Sequence, residues 1–294
     1  MISAIIPTFK NEEELIKNLK HNLPYLNGCE IIVVNDDPKQ SIKNNLKSFP
    51  GIMLIENKKN LGFAGAVHKG ILRAGYGYIM LLNSDVVLND SSYMNAIALM
   101  QKDPKTFAVS FAQKEKDGST VGKNVISWKS GFFQHGKASD LKNGINGWAE
   151  GGSCVINKKL YKEIGGFDSL YAPFYWEDID LSYRAWKAGY RIFFDPGIAV
   201  QHHHESTIGK YFSKDEVRSI AYRNQFVFIW KNIEDRSLLI SHVIRLLFSL
   251  PVMVFKDSAF VKGFWMAFTS LSNIIKKRKS NKIKDLDILD IFNV

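Results

Sequence analysis

The sequence predicts an α/β fold, Rossmann-like, with a mainly parallel sheet carrying helices on both faces and a helical region appended at its C-terminal end. Three observations lead there. The runs at 2–7, 31–34 and 78–82 are apolar or aromatic but for Ser3, which is the pattern of strands buried on both faces rather than of a half-exposed sheet. Helix-forming stretches alternate with them, as βαβ units require. From about residue 210 the strand-like runs stop and only helical patterns follow.

In chain order, Ile2 to Pro7 is a first buried strand ended by proline, and Asn11-Glu12-Glu13-Glu14 opens a helix with acidic residues where the helix dipole favours them. A second strand ends in Asn35-Asp36-Asp37-Pro38, and residues 51–56 form a third. Asn60-Leu61-Gly62-Phe63-Ala64-Gly65-Ala66 enters the next helix; its glycines alone are weak evidence for a phosphate loop. The strand at 78–82 runs into Asn83-Ser84-Asp85, and a helix spans 91–102. Residues 113–147 are rich in Gly, Lys, Ser and Asn and read as long, partly mobile loops. Trp176-Glu177-Asp178-Ile179-Asp180 starts a helix, residues 191–194 form a short strand, and Asp195-Pro196-Gly197 precedes Gln201-His202-His203-His204.

Composition narrows the function. The chain of 294 residues is 46% hydrophobic, enough for a large core, and has neither repeats nor low-complexity segments. Its two cysteines, Cys29 and Cys154, lie far apart and suit buried thiols in a reducing compartment. The opening Met-Ile-Ser-Ala-Ile-Ile-Pro has no basic region before a long apolar run, so no signal peptide is expected. Of the net charge of +10, most sits in 207–294, with 15 Lys and Arg against 8 Asp and Glu. That points to an anionic surface as partner of the tail; no nucleic-acid-binding motif accompanies the charge, and no nucleic-acid partner is expected. Residues 238–255 and 259–275 are apolar but interrupted by His242, Arg245, Pro251 and Lys262. Neither run supplies the roughly 20 uncharged residues of a spanning helix, so a helix lying on a bilayer is expected, with a helical layer or dimer interface as the plainer alternative.

The chemistry is concentrated at strand ends. A carboxylate at the end of a buried strand is costly unless a partner compensates it, and in open α/β sheets that partner is commonly a ligand in the crevice beyond the strands. Asp85 is the first such residue, with a helix-capping role as its alternative. Glu177, Asp178 and Asp180 taken alone read equally well as a helix N-terminus.

Together, Ile5-Ile6-Pro7-Thr8, Val33-Val34-Asn35-Asp36-Asp37, Asn60-Leu61-Gly62, Leu81-Leu82-Asn83-Ser84-Asp85, Gly165-Gly166-Phe167-Asp168, Trp176-Glu177-Asp178-Ile179-Asp180-Leu181 and His202 resemble, in order and spacing, the family 2 glycosyltransferases, in particular the bacterial rhamnosyltransferase-like branch. The resemblance covers about residues 1–210 and implies a GT-A domain there, with a nucleotide-sugar half (1–110) and an acceptor half (111–210), followed by the basic helical region 211–294. It implies inverting transfer of a sugar from a nucleoside-diphosphate donor, dTDP-rhamnose or a UDP-sugar, to a glycan or lipid-linked saccharide in cell-surface polysaccharide synthesis. Pro7, Thr8, Asp36, Asp37, Asn60, Gly62, Asn83 and Ser84 would line the donor site. Asp85 and His202 would hold Mg²⁺ or Mn²⁺ on the diphosphate, and Asp178, with Glu177 beside it, would be the base that activates the acceptor. Asn83 departs from the family's D-x-D motif and removes a charge from the metal's surroundings. A cytoplasmic enzyme on the inner membrane face is expected. The rival readings are a non-catalytic nucleotide-sugar or glycan-binding module, and a nucleotidyltransferase.

Overall fold

The computed structural model describes residues 1–202, 209, 211–280 and 282–293. The chain runs β1 (Ile2–Thr8), α1 (Glu12–Asn22), β2 (Glu30–Asn35), β3 (Ile52–Glu56), α2 (Gly62–Arg73), β4 (Tyr78–Leu82), β5 (Val86–Leu88), α3 (Met94–Lys102) and β6 (Thr106–Glu115). It continues through β7 (Thr120–Val121), β8 (Asn124–Lys129), β9 (Phe132–Lys137), β10 (Gly144–Ile145), β11 (Ser153–Asn157), α4 (Lys158–Glu163), α5 (Glu177–Lys187) and β12 (Arg191–His202). Then come the helices α6 (Lys214–Asn232), α7 (Arg236–Lys256), α8 (Ser258–Phe268), α9 (Leu271–Lys276) and α10 (Asp285–Asp290).

The main sheet has the order β10-β12-β6-β11-β4-β1-β2-β3. Strands β4, β1, β2 and β3 are parallel, as is the pair β6 and β12, while β11 runs antiparallel between β4 and β6. Successive strand residues enter opposite cores. Ile5, Ile32, Val34, Ile79 and Leu81 face one side, and Ala4, Ile6, Val33, Met80 and Leu82 the other. Full burial on both faces is why these strands read as unbroken apolar runs.

The strand order reverses between β1 and β4, which makes the crevice beyond them a place for a ligand. Pairing of β1 with β4 ends at Ile5 opposite Leu81, whereas pairing with β2 continues to Thr8 opposite Asn35. Pro7 falls in the stretch without a β4 partner, so its missing N–H interrupts no β4 ladder.

Three expectations change. Residues 113–147 are largely strand, not loop: β8 and β9 form a hairpin around Ser130-Gly131, whose φ values of 52° and 77° match the twist of a two-residue turn. Ile126 and Phe133 are buried beneath it, and the polar residues around them hid the pattern. The strand expected at 191–194 runs to His202, because a register shift between Asp195 and Ala199 absorbs Pro196 and Gly197 as a bulge. Finally, α7 is a single 21-residue helix with Arg245 as the sole charged residue between its ends, long and apolar enough to cross a membrane.

The C-terminal helices share the main core. Phe226 and Phe228 of α6 are buried, and Phe228 lies 4.3 Å from the ring of Phe133 and 5.3 Å from that of Trp176. Such burial contributes on the order of 1.5–3 kcal/mol per aromatic side chain.

Candidate active site

The carboxyl ends of β1, β2 and β4 bring most of the expected donor-site residues to one edge. Thr8 and Asp37 line a crevice with Asn11, Asn35 and Gln40. Asn35 shapes it, accepting from the Asp37 N–H at 3.0 Å and donating to the Gln40 carbonyl at 2.7 Å. Pro7 is buried opposite Val34. Asp36 turns away from this crevice, towards the start of α2. It accepts from Asn57 Nδ2 at 2.8 Å and from the Leu61 N–H at 2.9 Å. Burial raises its pKa, and the Asn57, Leu61 and Gly62 hydrogen bonds and the Lys69 charge oppose the rise. Asn60 Oδ1 accepts from the Gly62 N–H at 2.9 Å, shaping the same helix start. Gly62 has φ 69°, and a Cβ there would stand 2.8 Å from the Pro173 carbonyl oxygen, so this position demands glycine twice over.

The Asn83-Ser84-Asp85 turn is held from three directions. The Asn83 N–H donates to the Gly152 carbonyl at 2.9 Å. Asn18 of α1 donates to the Ser84 carbonyl at 2.8 Å, and Asn22, one helical turn on, bonds both Val86 O (2.9 Å) and the Leu88 N–H (2.8 Å). Asp85 Oδ1 is buried without a hydrogen-bond partner among the described residues, and His202 Nε2 lies 3.4 Å from it. The other ring nitrogen of His202 is 3.1 Å from Glu115 Oε1. Burial opposes protonation of this imidazole, but Asp85 and Glu115 outweigh it and raise its pKa. His203 and His204 lie outside the described residues.

Helix α5 starts from a strained turn. Tyr175 and Trp176 have φ of 70° and 73°, unusual for side chains of this bulk. Asn224 of α6 pins the turn, its amide nitrogen lying 3.1, 2.9 and 2.9 Å from the carbonyls of Tyr171, Phe174 and Tyr175. Below it Asp180 is fully buried, bonded to Tyr171, Arg184, Lys231 and Asn232. Arg184 also donates to the carbonyls of Ile164 and Gly166, so Gly165-Gly166-Phe167-Asp168 serves to brace this helix.

The first turn of α5 carries Glu177 and Asp178. Glu177 is buried, and its Oε2 has no hydrogen-bond partner among the described residues. Burial, then the neighbouring Asp178, pushes its pKa up. The partly exposed Asp178 is also raised, by burial and by Glu150, against backbone N–H donors that include Gly151. The Gly152 carbonyl receives the Asn83 N–H, while Asp178 Oδ1 accepts from the Ile179 N–H at 2.8 Å and the nearby Gly151 backbone favours its ionised form. A Cβ at either glycine would force a side chain to move, falling 2.6 Å from the Phe63 ring at Gly151 and 2.6 Å from Asn83 Nδ2 at Gly152.

The family model described as Glycosyl transferase family 2 matches residues 3–165. The chain belongs to this family. Among curated relatives it is 26% identical over 193 residues to a poly-beta-1,6-N-acetyl-D-glucosamine synthase of Staphylococcus aureus (strain COL), covering 63% of this chain and 46% of the relative. A Staphylococcus epidermidis synthase of the same name is 25% identical over 253 residues, covering 84% and 58%. The chain thus spans about half the length of the curated relatives it matches. Similar solved structures include GalNAc-T7 with UDP, GalNAc and Mn²⁺ (TM-score 0.62, 13% identity, 87% of this chain and 58% of that one). Staphylococcus aureus TarS 1-349 with UDP-GlcNAc follows the same fold (TM-score 0.57, 15% identity, 94% and 83%). So does the mannosyltransferase PcManGT from Pyrobaculum calidifontis with GDP-Man and Mn²⁺ (TM-score 0.56, 14% identity, 92% and 75%). The fold of this family 2 chain is accordingly GT-A.

A divalent cation fits the Asp85 end of the site. The Asp85 oxygen, which has no hydrogen-bond partner among the described residues, and the imidazole nitrogen 3.4 Å from it are an oxygen–nitrogen donor pair, and Mg²⁺ or Mn²⁺ takes few protein ligands when waters and phosphates complete its shell. Among the described residues no group of three or more His, Cys, Asp or Glu forms a cation site by itself. Asn83 adds no charge here. Sequence reasoning overlooked Asn18, Asn22, Glu115 and Asn224. The i, i+4 spacing of the first two and the lone amide in an aromatic helix for the last were visible signals.

Proposed function

We propose that this family 2 protein is an inverting glycosyltransferase of cell-surface polysaccharide synthesis, moving a sugar from a nucleoside-diphosphate donor to a glycan or lipid-linked hydroxyl. One observation carries the reading: the turn whose Gly152 carbonyl holds the Asn83 N–H of the Asp85 loop has Gly151 beside Asp178, where its backbone favours the ionised carboxylate. Donor diphosphate and acceptor base thereby share one rigid support.

In this reading Thr8 and Asp37 receive the nucleotide, and Asp85 with His202 holds the cation. When bound, that cation neutralises charge on the departing diphosphate. Asp178 takes the proton of the acceptor hydroxyl as its oxygen bonds the anomeric carbon and the bond from that carbon to the diphosphate breaks. Glu177, whose pKa burial raises, stays protonated rather than competing as base, with its buried oxygen available to donate to the bound acceptor. Glu115 orients the His202 ring from its other nitrogen.

The rhamnosyltransferase-like pattern favours dTDP-rhamnose, whereas the named relatives favour a UDP-N-acetylhexosamine. Incubation with each sugar nucleotide and Mn²⁺, monitoring nucleoside diphosphate, separates the two. Slow hydrolysis of one donor is expected. Binding without turnover, even with acceptor glycans present, would indicate a non-catalytic module, and pyrophosphate release from a nucleoside triphosphate would indicate a nucleotidyltransferase.

A further inference from the structure

Helix α7 has two faces in opposite environments. Leu238, His242 and Ser249 are buried. His242 places Nδ1 2.7 Å from the Gly131 carbonyl and accepts from Trp230 Nε1 at 3.0 Å, and Trp128 Nε1 donates to Ser241 at 3.0 Å. These bonds fasten one face to the β8–β9 hairpin and α6. The other face carries Ile240, Val243, Ile244, Leu247, Phe248, Val252 and Phe255, all exposed, with Leu247 at 69%, Phe248 at 72% and Phe255 at 91%. Their spacing, repeating every three or four residues, makes one continuous stripe along the helix. Soluble surfaces scatter such side chains singly, and a stripe of this length marks an interaction surface.

Its chemistry selects a bilayer over a protein partner. The stripe offers no side-chain hydrogen-bonding group, where a protein interface intersperses polar contacts with apolar ones. Helix α7 has no Asp or Glu; Arg236 and Lys256 close its two ends, and Arg245 borders the stripe. On α8, exposed Trp265 and Phe268 extend the apolar surface, and Trp suits the headgroup level of a membrane. The cation excess of 207–294 complements anionic lipid. Because the opposite face is hydrogen-bonded to the core, α7 is positioned to lie in the membrane plane rather than cross it, even though its length would permit crossing.

We infer that the exposed faces of α7 and α8 form a docking surface for an anionic bilayer, with the α7 stripe set into the boundary between headgroups and acyl chains.

The test is sedimentation of the full chain with phosphatidylcholine vesicles containing about a third phosphatidylglycerol. The protein is expected to sediment with them, less so with vesicles of phosphatidylcholine alone and less at high salt. The double variant Leu247→Glu/Phe248→Glu should bind at least about tenfold more weakly, since charge replaces inserted apolar surface. Its melting temperature should match the parent, because both side chains already face outward. A soluble parent that ignores vesicles, or undiminished binding by the folded double variant, would overturn the inference. So would self-association dispersed by these substitutions in a protein that ignores vesicles, which would make α7 a dimer face. The assay contains no donor or acceptor, so its failure leaves the transferase reading standing.

Discussion

Asp85 Oδ1 and His202 Nε2 lie 3.4 Å apart because β12 pairs antiparallel with β5, setting His202 opposite Val86, the residue after Asp85. The bulge at 195–199 lets β12 reach that far. On its other side the imidazole meets Glu115, at the end of β6, the strand beside β12.

This arrangement predicts a graded response to substitution. Asp85→Ala should abolish sugar transfer and Mn²⁺ binding, read from the EPR signal of free Mn²⁺, while circular dichroism stays unchanged. Glu115→Gln should bind Mn²⁺ roughly 10–100-fold more weakly, the usual effect of losing a carboxylate that orients a metal-bound histidine. Unaltered Mn²⁺ affinity in both variants would remove the metal from this position.

Asp178→Asn keeps the shape of the side chain and loses its basicity. Turnover should fall by about 10²–10⁴-fold with donor affinity nearly unchanged. The pH profile gives a second handle. Asp178 acts as a base only when ionised, and burial and Glu150 raise its pKa, so kcat should fall on acidification well before an ordinary aspartate, near ~4, would titrate. Glu150→Gln removes the raising charge and should move that acid limb to lower pH. A limb that stays in place in Glu150→Gln would assign the titration to another group.

Stability should depend on the network beneath the start of α5. Lys231→Met leaves Asp180 buried with one cation fewer and should cost about 3–5 kcal/mol, measured by urea denaturation. Arg184 and Lys231 hold the Asp180 pKa well below the usual range, although burial opposes them. A depressed folded pKa means stability that is fully present above the unfolded value of about 3.9 and lost as pH falls towards the folded one. The parent should therefore lose stability steeply below about pH 4. A melting temperature that is flat across that range would show that the network contributes nothing.

The parallel strands, the turn at Asn83-Ser84-Asp85 and the helix start at Asp178 were legible in the sequence because each depends on local chemistry. Continuous apolar runs mark doubly buried strands, and acidic residues favour helix N-termini. The hairpin at 124–137 was not legible: its Gly, Ser and Lys resemble loop composition, and only packing under α6 and α7 shows why Ile126 and Phe133 must face inward. The extent of β12 was hidden similarly, since Pro196 and Gly197 end a strand by propensity and are tolerated only when neighbouring strands accommodate a bulge.

By itself the sequence determined the residue types of a transferase site and their order along the chain. Tertiary structure alone decided their division of labour. Asp36 and Asp37 are adjacent in sequence, yet one carboxylate serves the start of α2 and the other lines the crevice with Thr8. Glu177 and Asp178 are adjacent as well, yet one is sealed in the core and the other partly open beside Gly151. Consecutive side chains diverge by about 100° on a helix, and beyond the end of β2 Asn57 and the Leu61 N–H draw Asp36 away from its neighbour, so residues adjacent in sequence enter different surroundings. Desolvation and hydrogen bonding then act on each separately, and both are properties of what the fold packs against the residue.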